Sequence, residues 1–259
     1  MPEGPLEGVG VLVTRPRTQA SELVSAIESQ GGTAWCFPVL EIAPFDALHV
    51  RNRVSSLGKP DIAIFVSRNA VEHGIEFTDG AEIAVIGPAP ARAVANAGRV
   101  VDVQPADGFD SEHLLAEERL QNVDGQRIRI IRGGEGRELL ANELQQRGAT
   151  VEYLSVYERR LPEVKPEMLA DLEARWREGR INVVTVMSVA SLEHLVRLLP
   201  AWCLQRLEDT PLVTPAGRVI KEMLRRYPAS RPVQARGPGA EDMVQAIIAL
   251  QSTDSGIAP

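Results

Sequence analysis

The chain has 259 residues, a length that favours two domains. Of these residues 44% are hydrophobic and 24% charged, a balance typical of a folded protein. No apolar run approaches the roughly 18 residues of a membrane span, and the net charge of −7 argues against nucleic acid as a partner. The two cysteines, Cys36 and Cys203, exclude a disulfide scaffold or a four-thiolate zinc site. Together with the absence of a signal-peptide pattern at the start, they favour a cytoplasmic protein.

Short β-branched runs alternate with amphipathic helical patterns along the chain. Strands are predicted at 9–13, 33–36, 61–66, 82–86, 100–103, 128–131, 150–154, 182–187, 212–214 and 232–235. Helices are predicted at 17–30, 89–97, 110–120, 136–147, 189–199, 216–226 and 239–250. This alternation predicts an α/β protein with parallel sheets that helices cover on both faces.

The chain also repeats itself. Residues 8–41 align without a gap to residues 125–158, which pairs Gly8 with Gly125 and Arg15 with Arg132. Shorter matches join 61–71 to 182–192 and 86–89 to 213–216. A doubled unit of about five strands predicts two similar α/β domains.

The strand count predicts that the domains are not contiguous in sequence. The central segment 45–154 forms one domain of five strands, and segments 1–36 and 163–259 together supply five strands to the other. The chain then crosses between them at 37–44 and 155–162. Both segments contain residues that favour β-strands, and each extends to a proline. We expect the crossings to pair as two antiparallel hinge strands, with a ligand cleft between the domains.

Polar groups follow most of the predicted strands. In open α/β sheets such turns present backbone N–H groups, hydroxyls and guanidinium groups to a ligand, here of a kind that suits carboxylates or phosphates. The turns are Thr14-Arg15-Pro16, Ser67-Arg68-Asn69, Gly87-Pro88, Arg132-Gly133-Gly134-Glu135-Gly136-Arg137, Ser188-Val189-Ala190-Ser191 and Thr214-Pro215.

Each of these groups also has a purely structural interpretation. Arg15 and Arg132 can pair with carboxylates at the sheet edges, and the glycines of the 132–137 turn can simply form a tight turn. Ser67 and Ser188 can act only as helix N-caps. The glycine spacing fits neither a P-loop nor G-x-G-x-x-G. The four histidines, His49, His73, His113 and His194, lack metal-ligand spacing, and no arrangement for nucleophilic catalysis is visible.

In combination, the motifs resemble the uroporphyrinogen-III synthase family. They are V-L-V-T-R-P at 11–16, D-I-A-I-F-V-S-R-N-A-V at 61–71, A-V-I-G-P-A-P-A at 84–91 and R-G-G-E-G-R-E-L-L-A-N-E-L-Q-Q-R-G-A-T-V-E-Y-L-S-V-Y-E-R at 132–159. The resemblance implies two flavodoxin-like domains joined by a two-stranded ladder, the first domain being discontinuous. It implies cyclisation of hydroxymethylbilane to uroporphyrinogen III with ring D inversion and loss of water, in tetrapyrrole biosynthesis. No cofactor or metal is expected, and a monomer is the default.

The resemblance also assigns roles to residues. The family's hinge tyrosine falls on Tyr157, which would protonate the departing oxygen, since a phenol stays protonated at neutral pH. The eight carboxylates of the linear tetrapyrrole would be bound at the strand ends, by Thr14, Arg15, Ser67, Arg68, Asn69, Gly87, Arg132, Gly133, Gly136, Arg137, Ser188, Val189, Ala190 and Thr214.

The chain departs from the family pattern in three places. Segment 68–81 is short, so the helix within it is expected to be stunted. Ala216 and Gly217 stand where some relatives have threonines, and Asn69 stands where some have arginine, which leaves open whether Arg68 or Asn69 meets a carboxylate. Two other functions fit the doubled α/β unit: a non-catalytic binding protein for a small polyanionic ligand, and a flavodoxin-like flavin or nucleotide protein.

Overall fold

The structure is a computed structural model that describes residues 4–134 and 138–254. The strands are β1 (Gly10–Val13), β2 (Thr33–Cys36), β3 (Glu41–Pro44), β4 (Ile62–Phe65), β5 (Glu82–Val85), β6 (Arg127–Gly133), β7 (Thr150–Arg160), β8 (Val183–Thr185), β9 (Leu212–Thr214) and β10 (Pro232–Gln234). The helices are α1 (Arg17–Ser29), α2 (Ala47–Ser55), α3 (Arg68–Gly74), α4 (Pro88–Asn96), α5 (Ser111–Ala116), α6 (Leu139–Gln146), α7 (Pro166–Arg177), α8 (Val189–Leu198), α9 (Ala201–Asp209), α10 (Gly217–Arg226) and α11 (Ala240–Asp254). Two 3₁₀ turns follow α3 and α5, at Ile75–Thr78 and Glu118–Leu120.

The chain divides into two compact units, Met1–Glu41 with Arg160–Pro259, and Ile42–Arg159. The first unit contains a sheet in the order β10, β9, β8, β1, β2, and all its neighbouring strands are parallel. Helices α1 and α11 cover one face of this sheet around Val11 and Val13, while α7 to α10 cover the other around Leu12. The predicted α/β class with parallel sheets is confirmed.

The second unit contains a sheet in the order β3, β7, β6, β4, β5, and the pairs among β7, β6, β4 and β5 are parallel. All four residues of β4 are buried, as expected of a central parallel strand with helices on both faces. Ile62 and Ile64 pack on the side of α5 and α6, whereas Ala63 and Phe65 pack on the side of α2, α3 and α4.

The sequence repeat is a repeat of structure down to single hydrogen bonds. Gly10 pairs with Thr33 in the first sheet, and 117 residues later Arg127 pairs with Thr150 in the second. The backbone N–H of Gly10 donates to Asn182 Oδ1 (2.7 Å), and that of Arg127 donates to Asp61 Oδ2 (2.8 Å). The first strand of each repeat, β1 or β6, is therefore joined in the same way to the start of its neighbour in the sheet, β8 or β4.

Some predicted elements differ from the structure. The predicted strand 100–103 is wrong, because this segment makes one isolated bridge, from Val103 to Ala84. The second sheet instead gains its fifth strand from β3. Helices α2, α7 and α9 were not predicted. The expected stunted helix is α3, which has 7 residues before it tightens into the 3₁₀ turn. Within the described residues, every helix is too short or too polar to cross a bilayer.

Candidate active site

The carboxyl ends of β4, β6 and β7 surround a cleft of about 550 Å³ in the second unit. Six polar side chains line it, those of Ser67, Ser111, Arg132, Tyr157, Glu158 and Arg159, together with the backbone of Gly133 and Gly134. Two guanidinium groups against one carboxylate give the described part of the wall a positive balance. Such a wall suits an anionic ligand despite the net charge of −7 on the whole chain.

Tyr157 reaches this cleft because β7 contains one extra residue. Arg132 of β6 pairs with Ser155, but the next residue, Gly133, pairs with Tyr157, so Val156 is left over. An extra residue of this kind turns the following side chains to the opposite face of a strand. Val156 and Tyr157 consequently both pack on the side of α3.

The hydroxyl of Tyr157 lies 3.1 Å from Oγ of Ser67, within hydrogen-bond distance. Ser67 is the N-cap of α3, and its Oγ accepts a hydrogen bond from the N–H of Ala70 (3.1 Å). The ring of Tyr157 is packed in the core, with 2% of the residue exposed. Tyr157 is thus a packing aromatic that also carries a hydroxyl at the cleft.

Gly133 allows this approach of the tyrosine ring. A Cβ atom at this position would lie 2.6 Å from Cε2 and Cζ of Tyr157, far inside van der Waals contact. Gly134 has open space around it, and its N–H donates to the backbone oxygen of Tyr157 (2.9 Å). The first glycine of the motif therefore serves a specific contact beyond turn formation.

The guanidinium of Arg132 lies over the ring of Tyr153, with Cζ 3.7 Å from the ring centroid. Its Nε and Nη1 are shielded from solvent and have no hydrogen-bond partner among the described residues. The predicted pairing of Arg132 with a sheet-edge carboxylate is therefore not found in this part of the chain. Arg132 is also one of the residues that line the cleft.

Three other predicted residues of the second unit, Arg68, Asn69 and Gly87, do not line the cleft. Arg68 forms an ion pair with Glu72 on its own helix (Nε to Oε1, 3.1 Å), and Asn69 is buried in the first turn of α3. Gly87 is the N-cap of α4 beside Phe109. Gly136 and Arg137 lie outside the described residues.

In the first unit, the hydroxyls of Thr14 and Thr214 are used inside the protein. Thr14 Oγ1 donates to the backbone oxygen of Thr185 (2.6 Å), and Thr214 Oγ1 accepts from the N–H of Ala216 (3.2 Å). Both threonines are buried, with at most 1% exposed. Their side chains are structural, and their backbone carbonyls are also engaged, accepting from the N–H groups of Val39 (3.2 Å) and Ala235 (2.8 Å).

Arg15 and Ser188 follow neighbouring strands of the first sheet. Arg15 Nη2 donates to the backbone oxygen of Pro238 (2.6 Å), and burial lowers the pKa of this guanidinium. Ser188 caps α8 by accepting from the N–H of Ser191 (3.1 Å), so Val189 and Ala190 occupy the first turn of that helix. The two repeat-related serines therefore have the same capping geometry.

Sequence reasoning missed Tyr153, Ser111 and Arg159. Tyr153 lies inside the longest motif, and Arg159 follows Tyr157 by two residues. Their positions in the sequence are therefore the signal by which both could have been found. Ser111 begins α5 after the N-cap Asp110, a pattern that the sequence contains but that indicates only a helix start. No group of three or more metal-ligating side chains occurs among residues 4–134 and 138–254.

Comparison with known proteins agrees with the motifs. The family model described as uroporphyrinogen-III synthase HemD matches residues 21–245. The uroporphyrinogen-III synthases of Escherichia coli and Salmonella typhimurium are 31% and 32% identical over 203 residues, which cover 75% of this chain and 81% of each relative.

Solved structures show the same fold. The uroporphyrinogen-III synthetase of Helicobacter pylori superposes with a TM-score of 0.62 at 12% identity, over 93% of this chain and 99% of that one. A mutant uroporphyrinogen III synthase of Thermus thermophilus superposes with a TM-score of 0.57 at 22% identity, over 94% and 99%. Because the family model matches most of the length of this chain, the chain belongs to the uroporphyrinogen-III synthase family.

Proposed function

We propose that this chain cyclises hydroxymethylbilane to uroporphyrinogen III, with inversion of ring D and loss of water. The observation that carries the proposal, beside family membership, is the Tyr157–Ser67 hydroxyl pair in the same cleft as Arg132, whose Nε and Nη1 have no partner among the described residues. The reaction is a lyase step of tetrapyrrole biosynthesis, and the proposed mechanism uses only the chain's own residues. The alternative, a binding protein for a polyanion, shares the arginine but has no need of the tyrosine hydroxyl.

Tyr157 is the proposed general acid. When the C–O bond of the hydroxymethyl group breaks, the oxygen leaves as water if it receives a proton. Ser67 Oγ already accepts from Ala70, and its contact with Tyr157 holds the phenol at the cleft. Closure of the ring later releases a proton from the attacked pyrrole, which can restore the phenol. Protons therefore balance without an outside acid.

Binding of the substrate carboxylates is assigned to the strand ends. Arg132, Ser67 and the backbone of Gly133 are proposed for this role in the second unit. We also assign it to Arg68, Asn69 and Gly87 there, to Gly136 and Arg137, and to Thr14, Arg15, Ser188, Val189, Ala190 and Thr214. For Thr14 and Thr214 the role is assigned to backbone N–H groups, because their hydroxyls and carbonyls are engaged. Because hydroxymethylbilane also closes unaided to the uninverted isomer, holding its geometry is as important as speeding bond formation.

We infer that the two units are flavodoxin-like domains and that the first is discontinuous. The proposed domains are 1–36 with 163–259, and 45–154, with 37–44 and 155–162 as antiparallel hinge strands. The position of β3 next to β7 supports the pairing of these segments. We also propose that the protein is a cytoplasmic monomer that acts without a cofactor.

The decisive experiment incubates the protein with freshly generated hydroxymethylbilane and separates the type I and type III products. The proposal requires type III to dominate and to form faster than uncatalysed closure yields type I. Type I alone, formed at the uncatalysed rate while the protein binds the substrate, would instead identify a non-catalytic binding protein. A yellow protein with flavin absorbance would support the flavodoxin-like alternative.

A further inference from the structure

The two arginines related by the repeat are held in different ways. Arg15 of the first unit is tied by Nη2 to the carbonyl of Pro238 at 2.6 Å. Arg132 of the second unit has no such tie for Nε or Nη1 among the described residues, and its guanidinium lies on the ring of Tyr153 at 3.7 Å. One arginine is anchored by a hydrogen bond, whereas the other is anchored by an aromatic face.

The repeat itself shows that the aromatic support is specific to the second unit. The position that corresponds to Tyr153 at the offset of 117 residues is Cys36, the last residue of β2. A cysteine offers no ring on which a guanidinium can stack. The aromatic support therefore lies under Arg132 and has no counterpart under Arg15, although Nε of Arg15 also lacks a hydrogen-bond partner among the described residues.

Tyr153 does not belong to the wall of the cleft, although Arg132 does. Its ring packs against the core between the sheet and helices α5 and α6. Its hydroxyl is shielded and has no hydrogen-bond partner among the described residues, and burial raises the pKa of this phenol. The side chain is thus a fixed neutral surface under the guanidinium.

We propose that Tyr153 is a positioning residue that acts through Arg132. Its ring supports the guanidinium at the edge of the cleft, so that the arginine is held ready to donate to one carboxylate of the substrate. An aromatic face attracts a guanidinium without using its in-plane donors, and a restrained arginine loses less conformational freedom when it binds. This inference rests on the proposed function, since it supplies that site with a carboxylate anchor.

The test compares Tyr153→Leu, which removes the ring, with Tyr153→Phe, which removes only the hydroxyl, each alone and combined with Arg132→Ala. Tyr153→Leu is expected to raise the KM for hydroxymethylbilane about 3- to 30-fold, the range of a shielded cation–π contact, with kcat changed less than about 2-fold. Tyr153→Phe keeps the wild-type KM. In the Arg132→Ala background, Tyr153→Leu adds no further increase, because the partner is already gone.

A matched control is available in the first unit. Arg175 lies over the ring of Trp35 at the same distance, 3.7 Å, but neither residue belongs to the site. Trp35→Leu is expected to leave KM unchanged. If Tyr153→Leu does not fold, judged by thermal unfolding, Tyr153→Met serves as the ring-free variant.

Two results would overturn the inference while leaving the proposed function intact. One is an equal rise in KM for Tyr153→Phe and Tyr153→Leu, which would assign the effect to the hydroxyl. The other is a rise in KM that persists in the Arg132→Ala background, which would show that Tyr153 acts elsewhere. A wild-type protein that forms no type III product would overturn the proposed function and this inference with it.

Discussion

At the scale of single residues, the position of the Tyr157 hydroxyl depends on the contact between its ring and Gly133. Tyr157 is brought to the side of α3 by the extra residue in β7, and its ring then lies where a side chain of residue 133 would otherwise project. Ser67, 90 residues earlier in the chain, meets the hydroxyl at 3.1 Å. A donor held by packing on its ring and by a hydrogen bond at its tip is pre-organised for proton transfer.

Removing the hydroxyl alone tests its role. Tyr157→Phe keeps the ring and its packing but lacks the proton, and we expect type III formation to fall about 10- to 100-fold, within the lower part of the range for general acid catalysis. Uncatalysed closure then competes, so the product shifts toward type I. The rate and isomer ratio are measured beside wild type, with folding checked by circular dichroism.

The control for this variant is Tyr227→Phe, which removes a hydroxyl from the first unit at the end of α10. It should retain wild-type rate and isomer purity. If Tyr157→Phe retains them as well, the tyrosine is confined to packing.

Adjacent glycines give a matched pair for the ring contact. Gly133→Ala places Cβ 2.6 Å from ring carbons of Tyr157 and must displace the ring, at a cost of about 1–3 kcal/mol in the free energy of unfolding. Type III formation should fall at least as far as in Tyr157→Phe. Gly134→Ala meets nothing within 4 Å and is expected to leave both quantities nearly unchanged. Chemical denaturation and the isomer assay check both variants, and equal effects at the two positions would contradict the proposed contact.

The repeated arginines are expected to differ in the same assay. Arg132→Ala removes donors that have no other use among the described residues, so KM should rise about 10- to 100-fold, as for loss of a charge-assisted hydrogen bond, with little change in thermal stability. Arg15→Ala also removes the bond to Pro238 and should lower stability in addition to affinity. A loss of stability with unchanged KM in either variant would make that arginine structural.

At the scale of elements, the repeat preserves the turns as well as the strands. Gly31 and Gly148, at the ends of the two repeated helices, both have φ of +87°, and Gly8 and Gly125 have φ of +75° and +71°. Positive φ of this size is a region that glycine enters at little steric cost. The repeat therefore extends to the backbone conformation that reverses the chain between helix and strand.

Substitution of one such glycine should destabilise the second unit. In Gly148→Ala the new Cβ would lie 2.1 Å from Oδ1 of Asp124, in addition to the strain at φ +87°. Gly80→Ala, at φ +78° with nothing within 4 Å, isolates the backbone strain, which costs about 1–2 kcal/mol. Urea denaturation should show a larger loss for Gly148→Ala than for Gly80→Ala, and equal losses would mean that the Asp124 side chain moves away freely.

The elements that could be predicted from sequence are those with strong apolar patterns. The run at 61–66 yields β4 because every residue of that strand is buried. By contrast, α2 buries only Val50, α7 only Leu172 and Trp176, and α9 only Cys203 and Leu207. So few buried residues leave a weak 3.6-residue periodicity, although α10 was predicted while burying only Val219 and Met223.

Some residues of the site could be predicted from sequence, but their mutual geometry could not. The strand-end rule and the family motifs pointed to Ser67, Arg132 and Tyr157, which the fold gathers at one cleft. Their mutual geometry depends on the extra residue in β7 and on a ring packed against Gly133, and neither has a local pattern in the sequence. The position of Arg132 over Tyr153, with Nε and Nη1 unpaired among the described residues, likewise became visible only in the structure.

At the scale of the whole molecule, the second unit has the parts of an independent domain. Its sheet is covered on both faces by helices of the same unit, with one core on the side of α2 to α4 and another on the side of α5 and α6. The bidentate pair of Glu41 and Arg160 (3.0 Å for both contacts) joins the first residue of β3 to the last residue of β7. The hydrogen bonds from Arg160 hold the pKa of the Glu41 carboxyl below its ordinary value.

We therefore expect a fragment of residues 41–160 to fold by itself. Its two cores are formed by its own helices, and its ends meet in an exposed ion pair that adds no more than about 1 kcal/mol, so burial of apolar surface is the main stabilising factor. The fragment should show a helical far-UV spectrum, dispersed amide resonances and one cooperative thermal transition. Glu41→Gln should shift that transition only slightly, whereas Leu144→Ala, which empties a fully buried site, should cost about 2–5 kcal/mol. A fragment of residues 1–41 has only β1, α1, β2 and the first residue of β3, and it should remain unfolded as the comparison. A non-cooperative transition in the 41–160 fragment would show that this unit needs the rest of the chain to complete its cores.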